Sequence, residues 1–150
     1  MPVLHLGVID LPYVTAPKRR QRKASAGTKT TGDVAGWLEN KYHPMEIYYE
    51  THKQDIFAAE IEKSLEGALE SIMLGAPPTL DPFGSATSAI EDGFKKFLTN
   101  KEMETLGYPG VPTQAAIEGI NHRLKLRRGP RRPSFVDTGL YLASSKAWVD

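Results

Sequence analysis

The sequence predicts a single α+β domain: a small, mostly antiparallel sheet made from the two chain ends, packed on one long and two or three shorter helices. Three observations lead there. Val3 to Ile9 (VLHLGVI) and the apolar residues that close the chain, Trp148 and Val149, have the composition of short strands. Between them, residues 45 to 74 carry apolar side chains at three- and four-residue steps, the spacing of one helix face. At 150 residues the chain suits one domain, whose core can bury roughly 68–70% of the surface the unfolded chain exposes.

Taken in order, the first strand reads as buried and is closed by Pro12. Residues 15 to 32 (TAPKRRQRKASAGTKTTG) hold a basic cluster and almost no apolar anchor, which predicts a long mobile loop or hairpin arm. A short helix is expected from Asp33 to about Asn40, with Thr31 or Asp33 as its cap and Val34, Ala35, Trp37 and Leu38 inward. His43 and Pro44 break it. The strongest element follows, with Ile47, Tyr48, Ile56, Phe57, Ile61, Leu65, Ala68, Leu69, Ile72 and Met73 on one stripe of a single helix.

Gly75 and the pair Pro77 and Pro78 stop that helix. A further helix is predicted over Ser85 to Leu98, carrying Ile90, Phe94, Phe97 and Leu98 on its inner face, and another from Thr113 to about Leu124. Residues 125 to 133 form a second basic loop that reads as mobile. The last segment is too apolar for a loose tail, so it returns to the core as a turn and a strand that pairs with the first strand.

Composition narrows the function classes. The chain has no cysteine, which removes disulfides, thiolate metal sites and cysteine nucleophiles and suits assembly in a reducing cytoplasm. No apolar run reaches the ~18 residues of a membrane span, and the N terminus does not read as a signal peptide. The net charge of +1 conceals a pattern: residues 1 to 45 and residues 105 to 150 each hold seven Lys or Arg against three Asp or Glu, whereas residues 46 to 104 hold five against twelve. The chain is basic at both ends and acidic in the middle.

Enzyme readings lack parts. Asp137-Thr138-Gly139 after two apolar residues has the form of an aspartic-protease active site, but only eleven residues follow, too few for the flap and second lobe such an enzyme needs. His5, His43, His52 and His122 lie far apart without metal-ligand spacing, and no phosphate-cradling loop or nucleophile elbow is present. No cofactor or metal is expected. Locally, Asp137 and Thr138 can accept bonds from backbone amides and Gly139 tolerates positive φ, so the triplet reads as a structural turn.

The run PSFVDTGLYLASSKAWV, with Pro133, Phe135, Val136, Asp137, Thr138, Gly139, Leu140 and Ser144 ahead of a strand at Trp148 and Val149, resembles the C-terminal signature of phage neck and tail-completion proteins. GVPTQAAIEGINHRL, GDVAGWLENKYHPMEIYYETHKQDI and LHLGVID are similar to that family's earlier pieces, in the same order. The chain departs from it at Glu39-Asn40-Lys41, where the family often has Glu-Phe-Gly. The resemblance implies a non-enzymatic virion protein of a tailed phage, assembled in the host cytoplasm. It would form a homo-oligomeric ring in the neck or at the upper end of the tail that joins head to tail and lets DNA pass. Implied partners are further copies of itself, head-tail adaptor or portal-side proteins, and tail tube or tail terminator proteins.

Two basic clusters are the candidate contact residues: Lys18, Arg19, Arg20, Arg22 and Lys23, and Arg127, Arg128, Arg131 and Arg132. Three readings stay open for them. They can contact phosphates, making binding salt-dependent without reading sequence, in which case the chain is a small DNA-binding protein or lines a DNA passage. They can meet the acidic helical surface of a neighbouring copy and set the register of a ring. They can also be solvated loops. The aromatic residues Tyr48, Tyr49, Phe57, Phe94, Phe97 and Trp148 are expected in the core, Trp37 in core or interface, and His52 on a partly exposed helix face.

Overall fold

The architecture is taken from a computed structural model that describes residues 2–13, 29–121 and 127–150. The chain ends meet as expected: β1 (Leu4–Val8) pairs antiparallel with β2 (Ser145–Val149), Leu4 opposite Val149 and Val8 opposite Ser145. The ladder runs one residue further at its open end, where the Val3 amide donates to Asp150 O at 3.1 Å and the Asp150 amide donates back at 3.0 Å. Because side chains alternate across a strand, Leu4, Leu6 and Val8 pack on the core. Val3 and Ile9 lie about half exposed, so β1 is half-buried where the sequence read a buried strand. A two-stranded sheet has only one face to cover.

The segment between Pro12 and Thr30 is closed at its base by a bridge between those residues and by the Tyr13 amide donating to Lys29 O. The basic cluster from Lys18 to Lys23, and the mobile arm expected there, lie outside the described residues. The end of that arm is fixed structure, since α1 runs Thr31–Tyr42. Its cap is Thr30 and not Thr31 or Asp33: the Thr30 hydroxyl accepts from the Asp33 amide at 3.2 Å while the Asp33 carboxylate accepts from the Thr30 amide, a capping box. Thr31 is fully buried instead, its hydroxyl donating to Ile9 O at 2.6 Å and accepting from the Leu11 amide.

His43, with φ at 51°, turns the chain out of α1, and Pro44 opens α2 (Pro44–His52) where its missing amide costs nothing. The predicted long helix is present but not uniform. A π-helical segment, Lys53–Ala58, separates α2 from α3 (Ala59–Met73). Its cause is legible in the spacing. Tyr48 and Phe57 are nine residues apart, which at ~100° per residue puts them on opposite sides of a regular helix. The wider turns of a π segment absorb the excess rotation, and both rings reach the core.

The helix α4 (Gly84–Thr99) returns antiparallel to α3 and supplies Ala86, Ile90, Phe94, Phe97 and Leu98, all buried. At the centre sits Tyr48, 0% exposed, with Phe57, Phe94 and Phe97 at 5.2–5.4 Å between ring centroids. Its hydroxyl donates to Ile90 O at 3.0 Å. Gly93 permits this approach, because a Cβ there would lie 2.2 Å from the Tyr48 oxygen. Short helices complete the chain: α5 (Glu102–Thr105), α6 (Gln114–Ile117) and α7 (Leu140–Ser144). The helix expected from Thr113 to Leu124 is thus a single turn; Gly119 takes a left-handed φ of 64° and ends the run. Among the described residues no helix is long and apolar enough to cross a membrane.

Candidate interaction surfaces

The C-terminal signature is built as a clamp. Glu104 of α5, its side chain 5% exposed, accepts from both the amide and the hydroxyl of Ser134 at 2.9 Å, and its other oxygen meets the Arg131 guanidinium at 2.8 Å. Burial alone raises the Glu104 pKa; the two Ser134 bonds and the Arg131 charge outweigh it and hold the carboxyl below its ordinary range. The Ser134 hydroxyl in turn accepts from the Thr113 amide. Arg132 donates to Val136 O and to Ile120 O, both at 2.7 Å. Its guanidinium thereby supplies donors to two carbonyls from separate stretches of chain.

These contacts revise the second basic loop. From 127 to 133 it is fastened, the Gly129 amide donating to Glu118 O and the Arg132 amide to Ala116 O. Arg131 and Arg132, read as contact residues, are engaged within the chain, Arg131 while still exposed, and Arg127 and Arg128 are exposed as well. The structural turn is where the sequence put it, with its roles shifted. Asp137 accepts from the very next amide, that of Thr138, and it is Thr138 that reaches two residues on, to the Leu140 amide. Gly139, at φ 77°, is the cap from which α7 starts, and α7 delivers the chain into β2. Sequence reasoning missed Glu104 and Ser134, since nothing local marks a bond spanning 30 residues.

Two histidine clusters also form. His52, its side chain 16% exposed, bonds Asp55 through Nδ1 at 2.9 Å and Glu102 of α5 through Nε2 at 3.0 Å. Burial pulls its pKa down, but the two carboxylates more than offset this and the net shift is upward. His52 therefore ties the π segment to α5, a larger role than the partly exposed face residue expected. The second cluster, Glu39, His43 and Glu46, brings ligand-type atoms within 4.8 Å of one another. Both Glu39 oxygens are already taken, by the Met45 and Glu46 amides at the start of α2, so its role is that of a helix cap.

The largest departure from the sequence reading is at the far end of the α3–α4 hairpin. Leu65, Leu69, Ile72 and Met73 continue the apolar stripe of α2 yet are exposed, Met73 by 79%. Leu74 is 81% exposed and Leu80 fully so. Here the two helices are joined by small and polar groups: the Ser64 hydroxyl donates to Pro82 O at 2.6 Å and lies 2.9 Å from the Ser85 hydroxyl. The hairpin is thus tied across its two helices while burying little apolar surface beyond the tie. Tyr49 and Trp148 are likewise exposed by more than two-fifths, Trp148 stacking on His5 at 5.2 Å on the open face of the sheet. Trp37 is half exposed, under the Lys29 ammonium.

A groove of about 750 Å³ lies at the other end of the hairpin, between β1 and the helices. Leu4, Leu6, Met45, Tyr49, Phe57 and Ile61 line it, with Lys53 and Gln54 as its polar members. Scans against known protein families, curated proteins and solved structures return no match.

Proposed function

We propose that the chain is a non-catalytic structural subunit of a tailed phage particle, one copy of a ring in the neck or at the upper end of the tail that joins head to tail. The resemblance of the ordered pieces ending in Asp137-Thr138-Gly139 supplies the phage assignment. The structural observation that supports the assembly reading is the exposure of Leu69, Met73, Leu74 and Leu80 at the end of the α3–α4 hairpin. Several large apolar side chains left open at one end of a fold suit contact with another macromolecule. The signature itself supports a scaffolding role, since Glu104, Ser134, Arg131 and Arg132 are all spent on fastening the chain.

Neighbours in such a junction are copies of the chain, a portal-side adaptor above and tail tube or terminator proteins below, with DNA passing through. Arg127 and Arg128 are the exposed cations available to face that DNA among the described residues of the two clusters. A free DNA-binding role would have to rest on these two and on Lys18 to Lys23. Imaging of purified particles tests the proposal: density for the chain at the neck or upper tail is the expected result, and its absence from the particle contradicts it.

A further inference from the structure

We infer that the recess between α1, the start of α6, the clamp over residues 132–137 and α7 is a binding site for a small monocarboxylate whose body is apolar and about the size of one ring. The site lies apart from the exposed hairpin end and is complete within one copy of the chain. Among the described residues, the buried side-chain nitrogen and oxygen atoms that lack a hydrogen bond are Arg132 Nε and the Tyr141 hydroxyl. Buried polar atoms in this state are rare and costly, since each has given up water without gaining a partner. Tyr141, 2% exposed, comes from α7 and Arg132 from the clamp, yet both line one recess of about 300 Å³. A single acceptor group placed between them satisfies both.

Chemistry narrows that acceptor. The Arg132 Nε–H can only donate. Burial, with the Glu39 charge and Tyr13 adding to it, raises the Tyr141 pKa, so its hydroxyl keeps its proton and can donate too. Arg132 gives Nη1 and Nη2 to the carbonyls of Val136 and Ile120, and no carboxylate among the described residues pairs with it, so a charged acceptor is favoured. Asp137 lines the same recess, which favours one negative charge on the ligand over two. Leu38 and the rings of Tyr42 and Phe135 supply an apolar wall for the body. The volume is at the lower end of the roughly 300–1,000 Å³ of ligand pockets, room for a small molecule.

Neither unpartnered atom is open to water, so the ligand reaches them by parting the side chains around them. The Tyr42 and Phe135 rings, 5.0 Å apart between centroids, are the pair to move. Phe135 sits at φ 67°, a left-handed conformation that a bulky residue keeps only where its surroundings impose it, so a shift of this segment sheds strain.

Equilibrium dialysis of the full chain against benzoate, phenylacetate and isovalerate tests the site, with benzyl alcohol and phthalate as uncharged and doubly charged competitors. At least one monocarboxylate should saturate at one equivalent per chain, and neither competitor should displace it at equal concentration. Tyr141→Phe should weaken that binding about tenfold, the loss of one hydrogen bond to a charged group. The same variant should unfold at the wild-type temperature or above, because it deletes a hydroxyl that is unpartnered in the chain itself. No saturable binding of any of the three acids, displacement by either competitor, wild-type affinity in Tyr141→Phe, or a lowered unfolding temperature in that variant overturns the proposal.

Discussion

The two halves of the α2–α4 hairpin carry the same kind of sequence and meet opposite fates. Near the sheet, Tyr48, Phe57, Phe94 and Phe97 interlock and are excluded from water. Beyond Ile61 the same apolar stripe continues through Leu65, Leu69, Ile72 and Met73, but the facing helix offers Ser85 and Ala86 and, among the described residues, no further layer lies outside. Periodicity specifies a face, whereas burial needs something to cover it. One half of the hairpin therefore makes the fold, and the other half presents a surface.

This contrast is open to direct attack. The largest effect should come from Phe94→Ala, which empties a fully buried site and should cost about 3–5 kcal/mol in urea unfolding. The next is Gly93→Ala: its methyl must displace the Tyr48 hydroxyl from Ile90 O, for a loss of about 1–3 kcal/mol, with Gly67→Ala, where a Cβ meets nothing within 4 Å, as the control. Ser64→Ala should cost about 1 kcal/mol and speed amide exchange near Pro82, because it unties the tip without touching the aromatic core. Leu69→Ala, on the open half, should stay within about 0.5 kcal/mol of wild type under dissociating conditions, despite removing more apolar atoms than a serine hydroxyl.

A pH titration separates two fastenings on α5. The His52 pKa is raised by Asp55 and Glu102, so its stabilisation is full below the ordinary histidine value of about 6.5 and fades as pH climbs through the raised folded value. The Glu104 pKa is lowered, so its contribution is full above the ordinary carboxylate value of about 4.3 and fades as pH falls through the depressed folded value. Thermal unfolding against pH should lose part of its neutral-to-alkaline decline in His52→Gln and part of its acid decline in Glu104→Gln. Unchanged profiles would show that neither network holds α5.

Much of the fold was legible because it rests on local rules. The pairing of the end strands followed from composition, the stop of α3 from Gly75 and the two prolines after it, and the turn at Gly139 from its freedom at positive φ. The expectations that failed depended on partners remote in sequence. Arg131 and Arg132 look like surface cations until Glu104, Ile120 and Val136 are brought to them. The exposure of Leu69 and Met73 needed knowledge of what lies outside the hairpin. Of the candidate contact residues that are described, Arg127, Arg128 and Arg131 are exposed, Arg131 while paired with Glu104, and Leu69 and Met73 had been counted on the inner stripe.

Leu69, Met73, Leu74 and Leu80 at the hairpin end are proposed to meet another copy of the chain. Hydrogen exchange of the full wild-type chain across a dilution series tests it most directly. Raising the concentration should slow exchange in residues 69–80 while amides of Ile90 to Leu98 stay unchanged. Exchange at the hairpin end that is independent of concentration would contradict it.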